Sequence, residues 1–201
     1  MLRLYDYLPS GNGYKVRLLL TQLAIPFELI ECDIMKGETR TPEFLAKNPN
    51  GRIPVLELSD GRCLAESNAI LFHLAEGTPY LPADAWERAQ VMQWLCFEQY
   101  SHEPNIATVR FWVRHTAVTP ERQARIDEKR RLGHAALAVL EQHLADRTFM
   151  VGERLSIADV ALYAYSHVAD EGGFDLGPYP SVRRWLGQVQ STPGYRPITS
   201  G

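Results

Sequence analysis

Two short polar segments carry residue types that suit the binding of an anion. The first runs Ser10-Gly11-Asn12-Gly13, and the second is the pair Glu66-Ser67. Each stands directly before a predicted helix, where the first backbone N–H groups and the helix dipole favour negative charge. The chemistry that these positions predict is the recognition of a carboxylate or the stabilisation of a thiolate.

A thiolate is one anion that fits the first segment. A free cysteine-like thiol has a pKa near ~8.5, and lowering that pKa by about two units takes roughly 2.7 kcal/mol. One hydroxyl hydrogen bond to a charged acceptor supplies about 1.5 to 3 kcal/mol, and a helix end adds about 0.3 to 1 kcal/mol. A serine at position 10 is therefore energetically sufficient for this role.

Two other interpretations compete for the first segment. In the first, Ser10 or Asn12 caps the helix and does no chemistry, which the local sequence alone favours. In the second, Gly11 and Gly13 after a strand belong to a dinucleotide-binding fingerprint. That fingerprint fails at its third glycine position, where Val16 stands.

The pair Glu66-Ser67 matches the α-amino acid end of a ligand. The hydroxyl and N–H of Ser67 suit a carboxylate, and the acidic Glu66 suits an adjacent ammonium. A plain helix cap beside a solvated acid is the competing interpretation, and it is preferred for this pair taken alone.

The segment from Asn48 to Val55 contains two prolines and a glycine, which end a helix and start a strand. Pro54 has no N–H for a sheet ladder, so we expect it at the first residue of a strand or on an edge. The Ile53–Pro54 bond is either trans, as most X–Pro bonds are, or cis. A cis corner would let Ile53 offer its N–H and C=O to a peptide ligand.

The elements that must position these segments alternate between strand and helix over the first 80 residues. Their order is βαβ, helix, ββα, and the two strands of the βαβ unit should be parallel. The predicted elements are a strand at 2–6, a helix through Val16 and Leu23, a strand at 27–32, a short helix at 42–47, a hairpin of 55–58 and 62–65, and a helix at 67–76.

Strand signals vanish after the segment Gly77–Pro82, and the remaining chain is helical in pattern. A long helical stretch runs from Trp86 to His115, in which Pro104 predicts a kink or a break. The segment Ser156-Ile157-Ala158-Asp159 has the form of a capping box ahead of a further helix. The predicted domains are residues 1–78, a linker at 79–85 and an all-helical domain at 86–201.

Bulk composition argues against several classes of function. With 45% hydrophobic and 22% charged residues and a formal charge of −3, the chain is typical of a globular protein without a basic surface for nucleic acid. Three cysteines without a Cys-x-x-Cys pattern predict reduced thiols in the cytoplasm. The absence of an apolar run of ~18 residues predicts no membrane partner. The six histidines form no metal-ligand motif, which predicts no metal.

The element order and three motifs together resemble the cytosolic glutathione S-transferase family over essentially the whole chain. The motifs are Asn-Pro-Asn-Gly-Arg-Ile-Pro-Val at 48–55, Glu-Ser-Asn-Ala-Ile at 66–70 and Ser-Ile-Ala-Asp at 156–159. The resemblance implies an α/β thioredoxin-like N-terminal domain of order βαβαββα, followed by an all-α C-terminal domain. It also implies glutathione as co-substrate in the first domain, a pocket for a small electrophilic substrate supplied largely by the second, and a homodimer.

The resemblance assigns roles to the residues of the three segments in the first domain. Ile53, before a cis Pro54, would hold the cysteinyl backbone of glutathione. Glu66 and Ser67 would hold its γ-glutamyl end. Ser10 would stabilise the thiolate.

The segment beginning at Ser10 also resembles a bacterial, Nu-like subgroup of the family with a Thr-Pro-Asn-Gly pattern. Asn12 would there share or assume the role at the thiolate. Tyr7 lies close to the position where tyrosine-type members keep their catalytic phenol, and it is the alternative to Ser10. Arg40, Thr39 and Arg52 are candidates for the glycyl carboxylate. The cysteine that the omega and beta classes place near Ser10 is absent, so no mixed disulfide with the protein is expected.

The implied activity is that of a glutathione transferase, in which the ionised glutathione thiol attacks an electrophilic small molecule. A glutathione-dependent disulfide reductase, peroxidase or isomerase on the same fold is one alternative. A non-enzymatic protein-interaction scaffold is an alternative of a different class. Six residues of the helical half are candidates to line the electrophile pocket: Tyr100, His102, Glu103, Arg110, Phe111 and Trp112.

Overall fold

The first 75 residues alternate between strand and helix in the computed structural model, which describes residues 1–200. The predicted order βαβαββα is confirmed, with bounds that differ from the predicted ones by a few residues. The elements are β1 Leu2–Asp6, α1 Gly11–Gln22, β2 Phe27–Glu31, α2 Pro42–Leu45, β3 Val55–Glu57, β4 Cys63–Ala65 and α3 Ser67–Ala75.

The four strands form one mixed sheet in the order β2-β1-β3-β4. The pairing of β1 with β2 is parallel, as predicted, and the pairings of β1 with β3 and of β3 with β4 are antiparallel. Tyr5 stands opposite Val55, which stands opposite Ala65. The end of β1, the start of β3 and the end of β4 lie on the same side of the sheet. The segments Ser10–Gly13, Asn48–Val55 and Glu66–Ser67 are therefore all found at this one end of the strands.

The two faces of the sheet carry separate apolar clusters. Alternation along β1 directs Leu4 and Tyr5 to opposite faces. One cluster joins the sheet to α1 and α3 and consists of fully buried residues: Leu4, Val16, Leu20, Leu56 and Ile70. The other joins the sheet to α2 and contains Cys32, Phe44 and Val55, with Tyr5 and Ile53 packed against it. The helices α1 and α3, whose N-termini carry the polar segments, are thereby anchored to the sheet.

A buried ion pair connects β1 to α1. Arg17 Nε donates to Asp6 Oδ2 over 2.8 Å, and both side chains are at most 4% exposed. Another guanidinium nitrogen of Arg17 donates to the Leu8 carbonyl oxygen over 2.6 Å. Burial raises the pKa of Asp6 to about 7, and the Arg17 charge opposes that rise. This network holds the loop that precedes Ser10 against the first turns of α1.

The segment from Thr192 to Ser200 packs against α1. Tyr14 Oη donates to the Arg196 carbonyl oxygen over 2.6 Å. Arg17 Nη1 donates to the carbonyl oxygens of Ile198, at 3.0 Å, and Ser200, at 2.6 Å. The chain divides into two compact units, of which the first contains Met1–Glu76 and the segment beginning at Thr192, and the second is Gly77–Ser191.

The second unit is helical. Pro104 lies just after a π-helical segment, Glu98–His102, so the helix widens there and continues into the helix Glu103–His115. The kink or break predicted at Pro104 is thus a widened turn of helix, because proline removes one helical hydrogen bond and crowds the preceding turn. The helices are α4 Ala85–Phe97, α5 Glu103–His115, α6 Pro120–His143, α7 Ile157–Ser166 and α8 Pro180–Gln190. Within residues 1–200 none of the helices has the length and apolar character needed to cross a membrane.

The predicted capping box is confirmed at the start of α7. Asp159 Oδ2 accepts from the Ser156 N–H at 2.9 Å and from the Ser156 hydroxyl at 2.8 Å. Its other oxygen accepts from the Met150 N–H, at 2.8 Å, and from Trp185 Nε1, at 2.9 Å. Asp159 is fully buried, and this burial raises its pKa against the effect of its hydrogen bonds. These contacts tie α7, which is buried along its whole length, to α8.

Candidate active site

Ser10 stands at the N-terminus of α1 as the residue that caps it. Its Oγ accepts from the Gly13 N–H over 3.4 Å, and its own N–H donates to the Tyr7 carbonyl oxygen over 2.7 Å. The capping interpretation is thus present in the structure. It does not compete with a chemical role, because a hydroxyl that accepts one hydrogen bond keeps its own proton for donation.

The side chains of Asn12 and Ser67 are in contact, although 55 positions separate these residues in the sequence. The Ser67 hydroxyl donates to Asn12 Oδ1 over 3.3 Å. Ser67 is 4% exposed and begins α3. The N-termini of α1 and α3, which the sequence analysis treated as two anion sites, therefore form one continuous site at the edge of the sheet.

Lys15 lies between them and was missed as a functional candidate. Its Nζ donates to Asn12 Oδ1 over 2.9 Å and to Ser67 Oγ over 3.4 Å, and the residue is 0% exposed. We call these three residues the Asn12–Lys15–Ser67 cluster. The sequence did contain a signal, because Leu18 and Leu19 follow Lys15 at the i+3 and i+4 positions of an apolar helix face.

Glu66 precedes α3 with an unusual backbone conformation. Its φ is +68° and its ψ is 110°, and its side chain is exposed. A positive φ in a residue other than glycine costs on the order of 1 to 3 kcal/mol and tends to occur at active sites and ligand clamps. This conformation places a carboxylate at the N-terminus of the helix that carries Ser67.

The corner at Ile53 has the cis form, the second of the two alternatives that the sequence left open. Asn48, which is 5% exposed, holds this corner through its side chain. Its Nδ2 donates to the Arg52 carbonyl oxygen over 2.8 Å, and its Oδ1 accepts from the Asn50 N–H over 3.1 Å. Sequence reasoning did not single out Asn48, although an Asx turn before a proline corner is a recognisable pattern.

The hydrogen bonds of Arg40 and Arg52 that the structure shows run within the same corner. Arg40 Nη1 donates to the Asn50 carbonyl oxygen over 3.0 Å. Its guanidinium covers Gly51, where an added Cβ would come within 2.3 Å of Nη1. Both arginine residues are exposed, so a role for either at a ligand carboxylate stays a prediction.

Tyr7, the last candidate of the first unit, lies in the same unit as two cysteines, Cys32 and Cys63. The Tyr7 N–H donates to Asp6 Oδ1 over 2.7 Å, and the residue is partly buried. Burial raises the pKa of the Cys32 thiol to about 11, and it also raises the pKa of Cys63. These two thiols are therefore poor nucleophiles at neutral pH.

In the second unit, the six candidates for a pocket occupy different environments. His102 is fully buried, and its Nε2 lies 2.9 Å from Ser166 Oγ. Arg110 Nε donates to Glu171 over 2.7 Å. Tyr100 is 88% exposed. Among residues 1–200, no three His, Cys, Asp or Glu side chains are grouped so that they could hold a metal ion.

A four-stranded mixed sheet with polar helix starts and a cis-proline corner at one edge, joined to a helical unit, defines a two-domain thioredoxin-like protein. Residues 1–76 match the family model for the N-terminal domain of glutathione S-transferases, and residues 93–193 match that for the C-terminal domain. The chain belongs to the glutathione S-transferase family.

Relatives of known structure or name support this placement. The crystal structure of a glutathione S-transferase from Pseudomonas fluorescens Pf-5 is 50% identical, with a TM-score of 0.97 over 99% of each chain. A second family member from the same organism, crystallised with two glutathione bound, is 28% identical, with a TM-score of 0.84 over 96% of this chain and 89% of the other. The disulfide-bond oxidoreductase YfcG of Escherichia coli is 34% identical over 96% of this chain and 92% of its own.

Proposed function

We propose that the protein is a glutathione transferase, which binds glutathione across its first unit and activates the thiol for attack on an electrophilic small molecule. The Asn12–Lys15–Ser67 cluster carries this proposal. It joins the residues proposed for the sulfur and for the γ-glutamyl end of the ligand. The relative that was crystallised with two glutathione bound adds support.

Each residue of the site has a proposed role. Ser10 and Asn12 donate to the thiolate. Ile53 pairs through its backbone with the cysteinyl residue of glutathione, in front of the cis Pro54. Glu66 receives the α-ammonium of the ligand, and Ser67 binds the neighbouring carboxylate. The exposed side chains of Arg40 and Arg52 are proposed to attract the glycyl carboxylate.

Catalysis then consists of a lowered thiol pKa together with proximity. Hydrogen bonds from Ser10 or Asn12 to the sulfur are stronger for the thiolate than for the thiol, so they favour loss of the thiol proton to solvent. The thiolate forms a carbon–sulfur bond with the electrophile, and the leaving group departs with its bonding electron pair. Holding both reactants in place converts this attack into an effectively unimolecular step.

The test measures the pKa of glutathione bound to the wild type and to Ser10→Ala and Asn12→Ala, from the ultraviolet absorbance of the thiolate against pH. We expect a rise of about one to two units in at least one variant, with a matching loss of turnover toward a model electrophile. Ser59→Ala, at an exposed serine of the same unit, is the control and should change neither quantity. Unchanged turnover in both Ser10→Ala and Asn12→Ala would reject this assignment of the site.

A second candidate activity is glutathione-dependent disulfide reduction, which the similarity to YfcG favours. In that reaction two glutathione thiols are oxidised to glutathione disulfide, and the substrate disulfide takes up two electrons and two protons to become two thiols. Parallel assays with a chloronitroaromatic electrophile and with a small organic disulfide distinguish the two activities. A protein that binds glutathione and turns over neither substrate would instead support the scaffold alternative.

The proposal also includes a homodimer located in the cytoplasm. The three cysteines are unpaired, which suits a reducing compartment. Light scattering at micromolar concentration should give twice the mass of the 201-residue chain, and a mass of one chain would contradict the dimer.

A further inference from the structure

Lys15 is a buried cation that lies between the N-termini of α1 and α3 and contacts a side chain at each of them, Asn12 and Ser67. An ammonium group withdrawn from water is strongly unfavourable unless hydrogen bonds satisfy it. Its 0% exposure and its hydrogen bonds to Asn12 and Ser67 show that part of its hydrogen-bonding capacity is spent on these two side chains. Lys15 thereby orders side chains to which the proposed function assigns contact with the ligand.

The chemistry of the ammonium fixes the orientation of Asn12. An ammonium has three donors and no acceptor, so the atom of the Asn12 amide that faces Lys15 must be the oxygen. The Ser67 hydroxyl donates to the same oxygen. Because the amide is planar, its nitrogen, Nδ2, then points away from the Lys15 ammonium. Without Lys15, the amide would lose the contact that distinguishes its two ends.

Resting on the proposed function, we propose that Lys15 is a positioning residue for the glutathione thiol. It holds the Asn12 carbonyl oxygen and the Ser67 hydroxyl, so that the Asn12 amide presents an N–H group to the sulfur and not its oxygen. An oxygen facing the thiolate would repel it. Lys15 therefore lowers the pKa of the bound thiol through Asn12, and it couples the sulfur end of the site to the γ-glutamyl end.

The first test is Lys15→Met, which removes the charge and keeps an apolar chain of similar length. The pKa of bound glutathione should rise by about one unit, and kcat/KM near neutral pH should fall about tenfold, with the pH profile displaced to higher pH. Lys36→Met is the matched control, because that lysine side chain is 75% exposed and its removal changes the net charge equally. An unchanged pH profile in a folded Lys15→Met protein would overturn the proposal.

A double-mutant cycle separates action through Asn12 from a direct effect of the charge. If Lys15 acts by orienting Asn12, Lys15→Met should change the pKa of the bound thiol much less in an Asn12→Ala background than in the wild type. If the changes in the pKa of the bound thiol caused by Lys15→Met and Asn12→Ala were fully additive, Lys15 would not act by orienting Asn12. The effect would then belong to the charge of the ammonium itself.

One measurement needs no substitution and no ligand. The Lys15 ammonium protons should exchange with water slowly enough to be seen by nitrogen-15 NMR, whereas those of Lys36 should not. Rapid exchange at Lys15 would overturn the buried hydrogen bonds on which the proposal depends. Failure of the proposed function is a different result: the wild type would then give no heat of binding with glutathione in calorimetry, and both proposals would fall together.

Discussion

Gly13 shows how closely α1 approaches β1 beside the site. A Cβ added to this glycine would lie 1.5 Å from Asp6 Oδ1, which accepts from the Tyr7 N–H, and the other oxygen of this buried carboxylate, Oδ2, accepts from Arg17 Nε. Because Asp6 cannot move without breaking its ion pair, the Gly13→Ala variant should lose at least about 3 kcal/mol of unfolding free energy. Urea denaturation followed by circular dichroism measures this loss.

The control for Gly13→Ala is Gly187→Ala, in the middle of α8. A Cβ at Gly187 meets nothing within 4 Å, and alanine is the better helix former. That variant should gain about 0.5 to 1 kcal/mol. If the two variants had equal free energies of unfolding, Asp6 would have to move away from the added Cβ at little cost.

His167 should make the second unit sensitive to acid. Burial lowers the pKa of this side chain from 6.5 to about 4, while the Tyr163 carbonyl oxygen, 2.9 Å from its Nδ1, opposes the shift. Between these two values the unfolded chain binds a proton that the folded chain does not, so stability is full above about pH 6.5 and falls as the pH decreases toward 4. We expect a loss of about 3 kcal/mol below pH 4 from this group.

The measurement compares urea denaturation of the wild type and His167→Phe between about pH 7 and about pH 4.5. Phenylalanine keeps a ring parallel to Tyr163, whose centroid lies 4.5 Å from that of His167, but it does not titrate. The variant should lose less stability than the wild type on acidification. Parallel pH profiles would mean that other groups are responsible.

At the scale of the elements, the capping box of α7 connects this helix to α8 and to the chain before it through the hydrogen bonds of Asp159. Replacing Asp159 by alanine would leave the Met150 N–H, the Ser156 N–H and Trp185 Nε1 buried without their acceptor. Each unsatisfied donor costs about 1 to 3 kcal/mol, so the Asp159→Ala variant should lose more than about 3 kcal/mol. Thermal unfolding of the purified variant measures the loss.

An acidic residue at another helix start provides the comparison for Asp159. Glu121 is exposed in the first turn of α6. Its carboxylate hydrogen-bonds its own backbone N–H and the Thr119 side chain in full contact with solvent, so its replacement by alanine should cost much less stability than Asp159→Ala. Equal losses in both variants would mean that Asp159 acts as an ordinary helix cap.

The order of the elements was predictable because it follows from apolar periodicity, which is a local property of the sequence. The capping box was predictable for the same reason, since Ser156 and Asp159 lie within one turn. The backbone conformation of Glu66 was not, because it depends on contacts made after folding, and the cis bond between Ile53 and Pro54 was implied only by the family resemblance. Lys15 was missed because a lysine is ordinarily solvated, and only the burial of α1 from Gly13 to Leu20 makes its charge significant.

At the scale of the whole molecule, the two units are not two continuous stretches of chain. The residues from Thr192 onward leave the helical unit and join the first unit, where Tyr14 and Arg17 bind their carbonyl groups. Sequence reasoning placed these residues in the helical domain at 86–201, since nothing in their own composition indicates a partner. Their partners lie more than 170 residues earlier in the chain.

This arrangement makes a prediction about ligand binding. If glutathione binds the native first unit, at one hundred times its dissociation constant it should add about 2.7 kcal/mol to the stability of the native state. Hydrogen exchange in the presence of glutathione should then slow at the first turns of α1 and α3 and also in the segment from Thr192 to Ser200, because that segment is hydrogen-bonded to α1. S-methylglutathione, which binds without an ionisable thiol, is the control and should protect the same segments.

Protection of α1 without protection of the C-terminal segment would contradict this coupling. It would mean that the hydrogen bonds of Arg17 to Ile198 and Ser200 open independently of the site. An Arg17→Lys variant sharpens the test, because lysine lacks the planar fork that reaches Asp6, Leu8 and the C-terminal carbonyl groups at once. In that variant glutathione should still protect α3, while protection from Thr192 to Ser200 should be lost.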